Sequence, residues 1–124
     1  MATFLIHVHS GPEAANKVTL GLLIAVEAAR AGHRVTVFLA GDAVACLAPA
    51  TRAGLEGQGT GRLVEHLEAL AAQGARLVVS QRSAAARGYG PELTADLPGG
   101  LVAEPGTPAL LVEIAAAADT VLCY

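Results

Sequence analysis

A chain of 124 residues suits one domain with a single core, and at that size folding buries only about two-thirds of the surface the unfolded chain exposes. The composition is 53% hydrophobic and 15% charged, well under the roughly 25% charged that is usual, so part of the apolar surface is expected to meet another subunit. A net charge of -3 and an aromatic share of 3% exclude a basic face and a base-stacking platform, and no nucleic-acid partner is expected.

No uncharged apolar stretch reaches the ~18 residues of a membrane helix, and the start has neither a basic n-region nor a small-residue cleavage site. Cys46 and Cys123 lie far apart and outside any Cys-x-x-Cys pattern, which fits reduced thiols. A soluble, cytoplasmic protein with no membrane partner is the expectation.

Thr3 to His9 reads as a first strand, with Phe4, Ile6 and Val8 on one face and Leu5, His7 and His9 on the other. After the turn Ser10-Gly11-Pro12, a helix runs from Ala15 or Asn16 to Ala31, with Gly32 beyond its end. Val18, Leu22, Ala25 and Ala29 form one apolar row. Leu20, Leu23 and Ile24 lie around the cylinder from it, so either a second subunit or a neighbouring helix of the same chain must cover them.

His33 to Ala40 is a second strand, and Gly41 and Asp42 open a short helix, Ala43 to Leu47. Ala48 to Gly61 reads as a mobile Gly-rich loop of the kind that serves as a lid. Thr60 is placed as the cap of a third helix ending near Gln73, with Leu63, Leu67 and Leu70 on its apolar face.

A third strand, Ala75 to Ser80, stops at polar and basic residues; Ser83 to Arg87 has the small residues of one or two helical turns, and a single turn is expected around Leu93. A short strand at Leu101 to Ala103 follows. Thr107 then caps a helix with Pro108 at its first position and a buried stripe of Leu110, Leu111, Ile114 and Ala118, and Thr120 to Tyr124 is a fifth strand. Strands alternating with helices at this spacing predict a single α/β domain over residues 1–124, a three-layer α/β/α sandwich around a mainly parallel five-stranded sheet.

The motifs are sparse. Gly11 to Thr19 matches G-x-x-x-x-G-K-[ST] only in outline, because Asn16 stands for the second glycine and Val18 for the hydroxyl, and there is no G-x-G-x-x-G. No cofactor is expected. His7 and His9 share a strand face, but no third ligand accompanies them, so no metal site is expected and His9 is read as a strand-end residue that hydrogen-bonds a turn. Cys46 and Cys123 are read as small buried hydrophobes.

The sharpest change of character is at Ala75 to Gly90, where a buried strand meets Ser80, Gln81, Arg82, Ser83 and Arg87. In parallel sheets ligands sit at the carboxyl ends of strands. Backbone N–H groups there, the Ser80 and Ser83 hydroxyls and the Arg82 or Arg87 guanidinium would meet a small acid or phosphate, with His9 and Ser10 at the end of the first strand as further candidates. The plainer reading is that Arg87 ties this turn to a carboxylate or a neighbouring subunit.

The order of these segments, with Gly32 to Phe38 (G-H-R-V-T-V-F), Ser83 to Gly88 (S-x-x-A-R-G) and Ala117 to Tyr124 (A-A-D-T-V-L-C-Y), resembles the DsrE/DsrF-like sulfur-relay family over nearly the whole chain. The resemblance implies a small α/β domain that forms trimers or hexamers, with protein partners in sulfur metabolism. In the sulfur-handling members it implies a persulfide-carrying cysteine at the head of the x-x-A-R-G segment, where this chain has Ser83; Ser80 stands where some members have another cysteine. A hydroxyl does not carry sulfane sulfur as a thiolate does. The expectation is therefore a homo-oligomer that binds a small anion or a partner without catalysis, the alternative being a sulfurtransferase or sulfur carrier that uses Cys46 or Cys123.

Overall fold

The computed structural model describes every residue from Met1 to Tyr124. The apolar, β-branched runs form five parallel strands: β1 (Thr3–Val8), β2 (Arg34–Leu39), β5 (Arg76–Ser80), β6 (Ala103–Gly106) and β7 (Thr120–Cys123), in the order β6-β5-β2-β1-β7. Between them lie α1 (Ala15–Arg30), a 3₁₀ segment Gly41–Leu47, α2 (Pro49–Gly54), α3 (Leu63–Ala72), α4 (Gln81–Ala86) and α5 (Pro108–Ala117). The sandwich is three-layered, and its two faces are unequal.

On one face Ile6, Val8, Val37, Leu39, Leu77 and Val79 join α1 and α3 in a cluster of 24 buried residues; on the other the buried apolar cluster is Leu5, Phe38 and Val78 alone, under α5. The alternation of side chains along each strand makes this division. In α1 the row Val18, Leu22, Ala25 and Ala29 is buried as expected. The packing of α3 against α1 hides part of the remainder, leaving Ile24 half-buried and Leu20 39% exposed.

Several expectations are corrected. Ala48 to Gly61 is not an open loop: it holds α2 and an antiparallel ribbon of β3 (Glu56–Gly57) and β4 (Gly61–Arg62). Thr60 does not cap α3, which starts after Arg62 without a side-chain cap. The Thr19 hydroxyl donates to the Ala15 carbonyl, so the Thr60 hydroxyl donates to Thr19 Oγ1 at 2.6 Å. His66 Nε2 donates to the Thr60 carbonyl at 2.7 Å, and Asn16 Oδ1 accepts from the Gln58 N–H, so polar residues of α1 and α3 pin the ribbon. Sequence periodicity does not report such cross-links.

Gly57 lies against both threonine hydroxyls, where a Cβ would overlap them. Gly57→Ala is expected to cost about 1–3 kcal/mol by overpacking, read as a lower midpoint in urea denaturation; an unchanged midpoint would show that the ribbon gives way freely.

The strand expected at Leu101 to Ala103 runs instead from Ala103 to Gly106, past Pro105. β6 is an edge strand, so the N–H that Pro105 lacks is not missed. The stripe Leu110, Leu111, Ile114 and Ala118 packs on Leu5, Phe38 and Val78 yet stays half-buried, because one helix crosses this face alone and no residue of α5 is fully covered. Thr107 caps α5 as expected, its hydroxyl accepting from the Leu110 N–H at 3.1 Å.

Candidate functional site

At the carboxyl end of β5 the Ser80 hydroxyl caps α4 by accepting from the Ser83 N–H at 3.2 Å. Successive residues of this helix point to different sides, and the candidate residues divide accordingly. Gln81, Ala84 and Ala85 turn toward β6 with Ser80, whereas Ser83 and Arg87 turn toward the start of the 3₁₀ segment Gly41–Leu47.

On that second side Ser83 Oγ accepts from the Gly41 N–H at 2.8 Å. Arg87 donates through Nη2 to Asp42 Oδ1 at 2.7 Å and through Nη1 to the Ser83 carbonyl at 3.1 Å. Arg87 thus ties the turn to a carboxylate of its own chain. Its contribution to stability is small, since the Asp42 side chain is 64% exposed.

His9 and Ser10 reach the same corner from β1. A side chain at Gly41 would stand 3.8 Å from the His9 carbonyl, and one at Gly11 would stand 2.8 Å from Asp42 Cβ. His9 itself is exposed, and its ring makes no hydrogen bond to a turn. Arg82 is exposed and forms no ion pair.

On the first side a crevice of about 440 Å³ opens between α4 and β6, its polar wall made by Ser80, Gln81, Tyr89, Thr94 and Glu104. No thiol lines it. Of the six candidate residues only Ser80 does; beside it stand Gln81 of the same polar turn and Tyr89 and Thr94, which local sequence does not single out, and the turn expected around Leu93 is present as Pro91–Leu93 and carries this wall. Nothing in local sequence connects that turn to β5.

The sequence matches the model of the DsrE/DsrF-like family over residues 2–124. The chain belongs to the DsrE/DsrF-like family. Among solved structures it is similar to the crystal structure of the ychN protein from E. coli, with a TM-score of 0.73 and 24% identity over 100% of both chains, a likeness of fold. No curated protein matches the sequence.

In this DsrE/DsrF-like chain the two thiols occupy opposite environments. Cys46 is 1% exposed, and burial first, then the charge of Glu13, pushes its thiol up to about 12. It is the inert buried hydrophobe that was expected. Cys123 is exposed on β7, contrary to that expectation, because β7 is an edge strand whose open face α5 does not reach.

Cys123 pairs in register with His7, which places the two side chains on one face of the sheet. The His7 ring lies 5.5 Å from that of His9 and meets Phe38 edge-on at 6.0 Å, and its Nε2 is buried without a partner. No three His, Cys, Asp or Glu side chains are grouped to hold a metal ion.

Burial, then the nearby His9, holds His7 below its ordinary value of 6.5. The unfolded chain therefore binds the proton more tightly, so His7 contributes stability that is whole above the unfolded value and is lost as pH falls below it. His7→Phe is expected to flatten the fall in urea stability between about pH 7 and about pH 5; an unchanged slope would assign it to other groups. No helix is long and apolar enough to cross a membrane.

Proposed function

We propose that this DsrE/DsrF-like protein binds a small anion at the α4 turn, as a cytoplasmic homo-oligomer, and passes no sulfur through Ser83. The observation that carries this reading is the crevice of about 440 Å³ at the carboxyl ends of β5 and β6, which has hydroxyl and amide groups in its wall and no thiol. Arg82, the residue after Gln81, has a charge unspent within the chain, while Ser83 and Arg87 hold the turn against Gly41 and Asp42. The His9 carbonyl borders that brace at Gly41. The family is related to sulfur-relay proteins, which makes a protein of sulfur metabolism the partner class. A trimer or hexamer is favoured by the side of α5 turned away from the sheet, where Val112 is 68% exposed.

Thiosulfate, a small anion and a sulfur donor, separates binding from transfer. It is expected to give saturable amide shifts at residues 80 to 83 that Arg82→Gln weakens, with no sulfur retained in the intact mass of the Cys123→Ser chain. Shifts indifferent to Arg82→Gln, or sulfur retained at the turn, would overturn the reading. Light scattering that gave a monomer would remove the oligomer.

A second reading, a sulfur carrier, is favoured by one observation: Cys123 is exposed beside the unpartnered imidazole of His7. It narrows the two cysteines to one, since Cys46 is buried. Sulfur found by mass on Cys123 after loading with a small persulfide supports it; an unmodified Cys123 rejects it.

A further inference from the structure

We infer that the cleft under α5, at the amino end of the sheet, is a second ligand site that takes a small zwitterion with an apolar body, such as an amino acid with an aliphatic side chain. This cleft of about 510 Å³ lies at the opposite end of the strands from α4 and rests on none of the residues proposed to bind an anion there. Its base and sides bring together the starts of β1, β2 and β5 with the inner edge of α5.

Two hydroxyls of the cleft make no bond within the chain. Thr36 is 6% exposed and lines the cleft, and its hydroxyl oxygen, which has no partner in the protein, remains accessible to a molecule bound there. Thr3, also on the wall, leaves its hydroxyl without a partner too. A polar group bound in the cleft would take the place of water at both hydroxyls.

The charges point to the class of ligand. Arg76 is held by a bidentate pair to Glu104, at 2.6 and 3.0 Å, and the charge of Glu113 reaches it from across the cleft without a salt bridge. Arg34 from β2 and Glu113 from α5 line the same cleft, yet neither makes a salt bridge with any group, including the other. A cation and an anion that share a wall and stay apart leave room for a molecule that carries both complementary charges. A carboxylate would take the Arg34 guanidinium, an ammonium would take Glu113, and Val35, Leu110, Ile114 and Ala117 would cover the aliphatic part.

The test is calorimetric titration of the whole protein with L-leucine, N-acetyl-L-leucine and L-leucinamide, which carry both charges, only the negative one and only the positive one. Leucine is expected to bind saturably and each analogue at least about tenfold more weakly, the loss of one charge-assisted hydrogen-bonded contact. Arg34→Gln and Glu113→Gln, both at exposed positions, are expected to weaken leucine by a similar factor, and Thr36→Val to weaken it without loss of folding. Absence of saturable leucine binding overturns the inference, as do equal affinities for the three compounds or a leucine affinity unchanged in Arg34→Gln and Glu113→Gln. Arg82→Gln, which tests the α4 turn, is expected to leave leucine binding unchanged, so the two sites succeed or fail separately.

Discussion

Ser83→Cys, placed in a chain that also carries Cys123→Ser, is expected to turn a protein with no reactive thiol into one with a single fast-reacting thiol per chain. The background is silent because Cys46 is buried and its thiol is pushed up to about 12, so at neutral pH it holds almost no thiolate. Position 83 differs in each respect. It is half-buried, and its side-chain atom accepts the Gly41 N–H at 2.8 Å, a donor that favours a negative charge on whatever atom sits there.

Alkylation by iodoacetamide, followed by intact mass against pH, is expected to show a midpoint below the ~8.5 of a free thiol. The same variant is expected to retain sulfur from a small persulfide, which the hydroxyl of the natural chain does not. A midpoint above the free-thiol value would mean that the Gly41 donor is lost when sulfur replaces oxygen. A chain that alkylates readily but never loads would show that the turn lacks access for the donor.

The largest loss of stability is expected from Phe38→Ala, at about 3–5 kcal/mol. Phe38 is 1% exposed and forms, with Leu5 and Val78, the buried apolar cluster on the face beneath α5. The packing around it is tight on the β6 side: a Cβ at Gly106 would come within 2.7 Å of Phe38 Cζ and of Val78 Cγ1. Removing the ring leaves a void between α5 and the sheet that neighbours so constrained do not close. Urea denaturation is expected to show a lower midpoint with an unchanged slope, and hydrogen exchange in α5 to rise before that in α1, whose core is on the other face. A small loss, or exchange that rises equally in both helices, would show the two cores to be one.

What could be read from residues alone was whatever depends on period and on near neighbours. The alternation in Thr3 to Val8 and the row Val18, Leu22, Ala25 and Ala29 assign their elements without reference to the rest of the chain, and Thr107-Pro108 marks the start of α5. Ala48 to Gly61 was misread because its order comes from Asn16, Thr19 and His66, which are distant in sequence and reach it through side-chain hydrogen bonds. The strand expected at Leu101 to Ala103 lies instead at Ala103 to Gly106, and only a place at the sheet edge lets Pro105 be part of it.

Residue type and local order are enough to specify the α/β domain, the polar turn after β5 and the serine at position 83. Tertiary structure alone decided that α4 divides the turn in two, with Ser83 and Arg87 bound to Gly41 and Asp42 on one side and Ser80 and Gln81 open to a crevice on the other. It alone separated the two cysteines. Burial and the pairing of a side chain depend on which strands become neighbours, and here the crossover that carries α5 from β6 to the far edge of the sheet leaves Cys123 exposed beside a half-buried His7 while Cys46 is sealed in the core.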